Sequence, residues 1–256
     1  MKDLRYLLDR KSVRLYEDKK ISLEIKNELL NATLRAPTAG NMMMYSIIEV
    51  DSQELKNKLS VTCDNQPFIG KAPLVLLFLA DFQRWMDYLK ASGVDEYNEE
   101  NNLEMYKPSE GDLMLAINDA LIAAQNAVIA GEILGLGSCY IGDIMENYET
   151  HKELLNLPKY TFPITMLCFG YPTEQQKNRN QTERYPKELI VFKDKYRNIS
   201  NEEFDELNKK QDGNGNNTYL PGCKNEAINI YKRKITSDFM MELTRSVKSA
   251  LKNWID

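Results

Sequence analysis

Apolar residues recur along the chain with two different spacings, and each spacing predicts a different kind of element. Ser22 has the side chain of a helix N-cap, and apolar residues at helical intervals follow it until the predicted helix ends before Pro37. The helical pattern is strongest from Asp112 to Leu134, where apolar residues face most sides, which is typical of a buried helix. A last helix is predicted from about Ser237 to Trp254.

Short apolar runs bounded by glycine or proline predict the strands. The run from Pro73 to Ala80 is apolar throughout, which favours a strand buried on both faces. Three further strands are predicted, at Ser46 to Val50, Ser138 to Ile141 and Ile164 to Phe169. Together the elements predict a single α+β domain over residues 1–256, with residues 200–256 as a flexible loop and a C-terminal helical extension. The loop is predicted from the composition of Asp212 to Asn217.

The composition is that of an ordinary globular protein. Hydrophobic residues make up 43% and charged residues 28% of the chain, and the formal net charge is −5. An acidic chain has no global basic field for a polyanion, so nucleic acid is not an expected partner. The N-terminus lacks the pattern of a signal peptide, and no apolar stretch approaches the ~18 residues of a membrane span. A cytoplasmic protein that does not enter a membrane is therefore predicted.

Motifs for side-chain catalysis and metal binding are scarce. The four cysteines are far apart and His151 is the single histidine, so a metal site has few possible ligands and none is predicted. We expect an exposed histidine, because His151 follows Glu149 and Thr150 at the start of a predicted helix. The segment from Gly135 to Gly142 contains Gly-x-Gly, but it follows a helix rather than a strand, which excludes a dinucleotide fingerprint.

A possible anion-binding pattern lies near the N-terminus. Arg10, Ser12 and Arg14 alternate along a segment that is predicted to be extended, so their side chains share one face. Two guanidinium groups and a hydroxyl suit a phosphate monoester, because arginine offers planar bidentate donors. Solvated surface charge is the competing interpretation, and Arg184 could join the site only if the fold brings it there.

The segment from Arg10 to Tyr16 resembles the opening Arg-x-Ser-x-Arg-x-Phe/Tyr motif of the nitroreductase family. Further motifs that are similar to the family's follow in its order, up to about residue 190. They are the small-residue turn Ala36 to Asn41, Gln66 ahead of a buried strand, Gly135 to Gly142, Gly170-Tyr171-Pro172 and Arg184-Tyr185-Pro186. The resemblance is strongest to the oxygen-insensitive, NADPH-preferring branch of the family.

The resemblance implies a nitroreductase-like mixed sheet flanked by helices, in an obligate homodimer with FMN at the subunit interface. The long helix from Asp112 would be the core of that dimer. The resemblance also assigns cofactor-binding residues by motif. They are Arg10, Ser12 and Arg14 with Lys11 beside them for the phosphate and ribityl region, Arg184 for the phosphate, Thr38 and Gly40 near the isoalloxazine, Gln66 as a hydrogen-bonding partner, and Tyr140, Ile141, Gly142 and Asp143 along the ring.

Two residues depart from the family's pattern. Thr182 stands where the family often has a lysine ahead of Arg184. Asp143 stands where a second glycine usually follows, and a carboxylate near the flavin would disfavour the anionic hydroquinone unless it points away.

The activity that the resemblance implies resides in the cofactor. NADPH or NADH would pass hydride to the flavin, and a nitroaromatic, quinone or flavin acceptor would then be reduced in a ping-pong mechanism with no catalytic side chain. One alternative is a flavin-binding protein of the same fold with little reductase activity, whose acceptor pocket is blocked by the run from Met42 to Tyr45. Another is an interaction protein in which Arg10 and Arg14 are solvated surface.

A preference for NADPH would require basic residues that contact its 2′-phosphate. The candidates lie in the region after the core, where solvated surface is again the competing interpretation. They are Lys209, Lys210, Lys224, Lys232, Arg233 and Lys234.

Overall fold

The computed structural model describes residues 4–212 and 219–256. The chain divides into two compact units, of which the first comprises Met1–Asn180 and Leu243–Asp256 and the second comprises Gln181–Glu242. The second unit begins at residue 181. A single domain with an extension over residues 200–256 stays a prediction. The predicted loop from Asp212 to Asn217 lies, except for its first residue, outside the described residues.

A four-stranded antiparallel sheet in the order β1-β2-β4-β3 forms the centre of the first unit. Its strands are β1 (Tyr45–Glu49), β2 (Leu74–Asp81), β3 (Gly137–Ile141) and β4 (Thr161–Gly170). The four predicted strands are confirmed, and every residue of the two central strands is buried, as the apolar run predicted for β2. Parallel pairing, which a mixed sheet requires, is limited among the described residues to the bridge between Ser12 and Ser138.

Strand β4 begins earlier than predicted because the sheet accommodates Pro163. Phe78 pairs with Thr165 and Leu79 pairs with Pro163, so Ile164 is an extra residue at this step of the ladder. Proline has no N–H to donate, and an irregularity of this kind is where a sheet tolerates it.

Helices flank the sheet. In the first unit they are α1 (Arg5–Leu8), α2 (Leu23–Thr33), α3 (Gln53–Thr62), α4 (Pro67–Lys71), α5 (Gln83–Ala91), α6 (Val94–Asn101), α7 (Glu110–Ile133), α8 (Tyr148–Leu154) and α9 (Glu174–Lys177). The second unit holds α10 (Asn201–Asp212) and α11 (Glu226–Ile230), and α12 (Asp238–Ile255) begins there. The predicted N-cap is confirmed, since the Ser22 hydroxyl accepts a hydrogen bond from the Ile25 amide at 3.2 Å.

The long helix α7 is buried along one side only. A row of alanines that includes Ala116, Ala120 and Ala127 is fully buried in the main core cluster, and Gly135 follows the helix with a φ of +76°. The other side is apolar but exposed. Its large exposed apolar side chains are Met114, Leu115, Leu121, Ile122 and Ile133. The prediction of burial on most sides is therefore wrong for this chain taken alone.

The expectation that no apolar stretch is long enough to span a membrane is wrong for α7. This helix is long and apolar enough to cross a membrane, because an 18-residue window in it has a mean hydropathy of 1.5. Half of that window is buried in the first unit, which is how the core helix of a folded domain is arranged.

The C-terminal part of α12 packs against α8. Ser246 accepts a hydrogen bond from the Tyr148 amide at 3.0 Å, and Arg245 contacts both oxygens of Glu149 at 3.0 and 2.8 Å. Trp254 is 1% exposed. The predicted C-terminal helix is confirmed, and its last turns complete the core of the first unit.

Within the second unit, polar contacts fix the short helices. Arg197 contacts both oxygens of Glu203 at 2.9 and 2.7 Å, and the Asn225 side chain caps α11 by accepting from the Ile228 amide at 2.9 Å. A turn of π-helix, Tyr231–Ile235, follows α11.

Candidate functional site

The N-terminal segment, Arg10 to Tyr16, lies along the free edge of β3. The Val13 amide donates to the Ser138 carbonyl at 2.8 Å. Val13 is buried over Gly137, where an added Cβ would lie 2.5 Å from Val13 Cγ2. Only glycine at position 137 therefore lets the segment approach the strand so closely. Because side chains alternate in extended chain, Ser12 and Arg14 are directed away from the Val13 side.

Ser12 and Arg14 lie beside the Cys139 thiol, and Arg10 is near enough for its charge to act on this thiol. Burial raises the pKa of this thiol, and hydrogen bonding and charge from Arg14, a hydrogen bond from Ser12 and the charge of Arg10 oppose the rise. The Arg14 guanidinium also lies 6.0 Å from the centre of the Phe68 ring. The three residues that the sequence predicted as phosphate ligands therefore share one small region beside β3.

Lys11 has a different environment from its neighbours. Its ammonium donates to the carbonyls of Lys177 and Arg179, both at 2.6 Å, at the end of α9. In turn the Arg179 guanidinium donates to the Ser12 carbonyl at 2.5 Å. Lys11 thus fastens the N-terminal segment to α9, and sequence motifs did not indicate the part that Arg179 plays in this contact.

Glu132, near the end of α7, adds a carboxyl group to the surroundings of the N-terminal segment. Burial raises the pKa of this carboxyl to about 7, while the charges of Arg10 and Lys11 oppose the rise. The group is therefore protonated for part of the time at neutral pH. The positive charge of the two basic residues is then only partly cancelled, which leaves the region suited to an anion.

Gln66 and Asp143 lie in contact, although they are far apart in the sequence. The Gln66 side-chain amide donates to the Cys63 carbonyl at 3.0 Å and to the Asp143 carboxylate at 3.1 Å. Both N–H donors of Gln66 are thereby engaged, and its side-chain carbonyl is the group left to accept a hydrogen bond from a ligand. Asp143, the residue that departs from the family's pattern, therefore accepts a hydrogen bond from Gln66, another predicted site residue.

The residues at the end of β3 offer a ligand mainly their backbone. Ile141 is 1% exposed and its side chain belongs to the core. The Tyr140 hydroxyl donates to Gln125 at 3.2 Å, and burial raises the pKa of this phenol to about 12. Gly142 carries no side chain, so Asp143 provides the nearest ionisable group after Tyr140.

The predicted residues of the second turn are organised by the carboxylate of Asp119, which was not among the predicted site residues. The Thr38 hydroxyl donates to Asp119 of α7 and accepts from the Met43 amide at 2.8 Å. Gly40 is exposed and has a φ of +56°. A carboxylate in the middle of an apolar helix was the available signal, because a buried charge requires several partners.

The remaining predicted residues lie in the second unit. Arg184 is exposed, in a stretch that precedes the 3-10 turn Lys187–Leu189. Lys224 and Arg233 are also exposed. The assignments of these residues to a phosphate remain predictions.

The prediction of an exposed histidine is wrong. His151 is fully buried, its Nδ1 lies 2.9 Å from the Ile144 carbonyl and its Nε2 lies 2.8 Å from the Thr62 hydroxyl. Helix α8 turns this residue inward, and burial lowers its pKa. It joins the end of α3 to the turn that follows Asp143.

Comparison with known proteins agrees with these motifs. The sequence profile of the nitroreductase family matches residues 7–171. A protein of Bacillus subtilis (strain 168) named FMN reductase [NAD(P)H] is 34% identical over 76% of this chain and 74% of its own. The Cr(VI) reductase of Pseudomonas sp. (strain G-1) is 30% identical over 93% and 92% of the two chains.

Solved structures agree as well. The structure of NfrA1 from B. megaterium matches with a TM-score of 0.78 at 26% identity, over 96% of this chain and 97% of the other. The matched residues include the N-terminal segment, the Thr38 turn, Gln66 and β3. With a family profile that matches across the sheet and its flanking helices, this chain belongs to the nitroreductase family.

Proposed function

We propose that the protein is an FMN-dependent NAD(P)H oxidoreductase that acts as a homodimer and reduces a small-molecule acceptor. Membership of the nitroreductase family and the name of the Bacillus subtilis relative, FMN reductase [NAD(P)H], support this activity. The observation that carries the proposal is the docking of the segment from Arg10 to Tyr16 on β3, which places Ser12 and Arg14 on one side beside Cys139.

The donor set fits the phosphate end of FMN. Two guanidinium groups and a hydroxyl provide several charge-assisted hydrogen bonds, which are the contacts that a phosphate monoester forms. The Ser138 hydroxyl is 1% exposed and has no hydrogen-bond partner among the described residues. A buried hydroxyl without a partner at the point where Ser12 meets β3 is consistent with a polar ligand near this edge.

When bound, FMN supplies a ring that accepts hydride from NADPH or NADH and donates two electrons to a nitroaromatic, quinone or flavin acceptor. The residues of the chain bind and orient the cofactor. Arg10, Ser12 and Arg14 hold the phosphate, and the Gln66 carbonyl accepts a hydrogen bond from the ligand. We assign Thr38 and Gly40 to the turn beside the ring, and the backbone from Tyr140 to Asp143 to its edge. We propose no acid or base among the side chains.

The exposed apolar side of α7 supports the proposed homodimer. Leu121 and Ile122 follow Met114 and Leu115 by seven residues, about two helical turns, so the four side chains form one stripe along the helix. Large apolar side chains that are exposed together on one face of a helix are typical of an obligate interface. A second copy of the same helix, related by two-fold symmetry, would cover it.

The environment of the methionine run does not favour the alternative of a flavin-binding protein with a blocked acceptor pocket. Met44 is 1% exposed, and Met42 and Met43 pack against the main core cluster. Met44 therefore fills the core, whereas Met43 also borders an open pocket beside Leu34 and Arg84.

The activity is tested with purified protein in two steps. The absorption spectrum should contain the bands of bound flavin, and NADPH should be oxidised when a quinone or a nitroarene is added. A flavin-containing protein that oxidises neither nucleotide with either acceptor would support the alternative, and a colourless protein that does not bind added FMN would contradict the proposal.

The choice of nucleotide is tested separately. If Lys224 and Arg233 contact the 2′-phosphate, replacing both with alanine should raise the KM for NADPH and leave the KM for NADH unchanged, because only uniform binding is lost. Equal effects on the two nucleotides would contradict this assignment. The cytoplasmic location and the contribution of Arg184 remain predictions.

A further inference from the structure

The turn from Thr38 to Tyr45 is held on its N–H side by one buried carboxylate. Asp119 is 2% exposed, and its two oxygens accept from the Ala39 amide at 3.2 Å and from the Met44 amide at 3.0 Å. The Thr38 hydroxyl is a third donor to the same carboxylate. Helix α7 thus contacts both ends of the turn through a single side chain.

The same turn is held on its carbonyl side by two residues at the start of α5. The Trp85 indole N–H donates to the Met42 carbonyl at 2.8 Å. The Arg84 guanidinium donates to the Met43 carbonyl and, at 3.2 Å, to the Tyr45 carbonyl. Asp119 therefore accepts hydrogen bonds from the amides of the turn, and Arg84 and Trp85 donate hydrogen bonds to its carbonyls.

The backbone of the turn requires such support. Asn41 has a φ of +56° and Met43 a φ of +49°, in the left-handed region that residues with a Cβ rarely adopt. Residues in this region persist where the surrounding structure holds them there. Asp119, Arg84 and Trp85 provide these restraints.

The chemistry of position 119 calls for a carboxylate. A carboxylate only accepts hydrogen bonds, and the three groups that face it, two amides and a hydroxyl, all donate. Asparagine has the same shape, but its NH2 group would face at least one of these donors. One N–H of the turn would then lack an acceptor.

We propose that Asp119 is a positioning residue for the reaction: it fixes the Thr38–Tyr45 turn and, through the turn, the face of the cofactor that the acceptor meets. This inference rests on the proposed function, because the resemblance places Thr38 and Gly40 beside the isoalloxazine. Asp119 is directed at the turn, so its effect on the cofactor passes through backbone geometry.

The test compares Asp119→Asn and Thr38→Val with the control Ser246→Ala. The control also removes a buried hydrogen bond, between α12 and the Tyr148 amide, away from the turn. Thr38→Val preserves the shape of the side chain and keeps the test available if Asp119→Asn folds poorly. FMN affinity, the visible circular dichroism of bound flavin and the melting temperature are measured for each protein.

We expect a lower melting temperature in all three variants, since each loses a buried hydrogen bond. Only Asp119→Asn and Thr38→Val should also change the visible flavin spectrum and weaken FMN binding, by roughly tenfold. The effects of these two substitutions should not add in the double variant, because both act on one turn.

Different results would contradict the positioning role of Asp119 and the proposed function. A flavin spectrum and FMN affinity that stay at the wild-type values in both Asp119→Asn and Thr38→Val would contradict the positioning role alone. A wild-type protein that does not bind FMN would contradict the proposed function, and the positioning role with it.

Discussion

Gly137→Ala tests whether the close approach of the N-terminal segment to β3 creates the phosphate site. An alanine Cβ at this position would lie 2.5 Å from Val13 Cγ2 and 2.8 Å from Val13 Cβ. Distances this short are not tolerated, so Val13 and the segment that carries it must move away from the strand. The substitution adds one methyl group and removes no group that could touch FMN.

The magnitude of the effect follows from the contacts that move. Overpacking of a well-packed core costs about 1–3 kcal/mol, and the hydrogen bond from the Val13 amide to Ser138 is strained as well. A displaced Arg14 or Ser12 loses charge-assisted contacts worth about 1.5–3 kcal/mol. FMN affinity should therefore fall roughly ten- to a hundredfold, with a moderate loss of stability.

Isothermal titration of FMN and thermal unfolding measure the two effects. Gly111→Ala is the matched control, because a Cβ there meets nothing within 4 Å and α7 should be unaffected or slightly stabilised. Val13→Ala in the Gly137→Ala background removes both γ carbons and should restore part of the affinity. If Gly137→Ala binds FMN as the wild type does, the assigned role of the segment is wrong.

Three further predictions concern the interface, the ring environment and the C-terminal helix. Leu121→Glu places a charge on the apolar stripe of α7 and should raise the dimer dissociation constant about a thousandfold or more. Light scattering should then report the 29.6 kDa monomer. An unchanged dimer would contradict the proposed interface. Asp143→Asn should raise the two-electron potential of bound FMN by some tens of millivolts, because a nearby negative charge is removed; an unaltered potential would mean that the carboxylate points away. Hydrogen bonds from Arg245 and Ser249 lower the pKa of Glu149 from 4.5 to about 2. The exposed contact between Glu149 and Arg245 therefore stabilises the fold above pH 4.5, and this stabilisation is lost as the pH falls towards 2. Glu149→Gln should lower the melting temperature slightly at pH 7, and a difference in melting temperature between variant and wild type that grows on acidification would refute this.

Features that depend on local pattern could be predicted from the sequence. The Ser22 cap, the apolar run of β2 and the glycine stop after α7 each follow from a few neighbouring residues, and the structure contains them. The alternation of Arg10, Ser12 and Arg14 is equally local. We expected these side chains to share one face of the segment, but the sequence did not predict that this face lies beside Cys139.

Features that depend on distant partners could not be predicted in the same way. Asp119 meets the Thr38 turn only because α7 crosses it, and the apolar pattern of that helix concealed the carboxylate. His151 lies beside a polar stretch but is turned inward onto Thr62 and Ile144. The exposed side of α7 is largely apolar, as its buried side is, so periodicity alone could not separate a core from an interface.

Titration of FMN against the Arg10→Ala and Arg14→Ala variants tests the central claim most directly. Arg35→Ala, an exposed arginine at the end of α2, is the matched control for the loss of one positive charge. Removal of one charge-assisted phosphate contact should weaken FMN binding roughly ten- to a hundredfold in each site variant. The control should bind FMN as the wild type does. Wild-type affinity in both site variants would contradict the proposal that this segment holds the FMN phosphate.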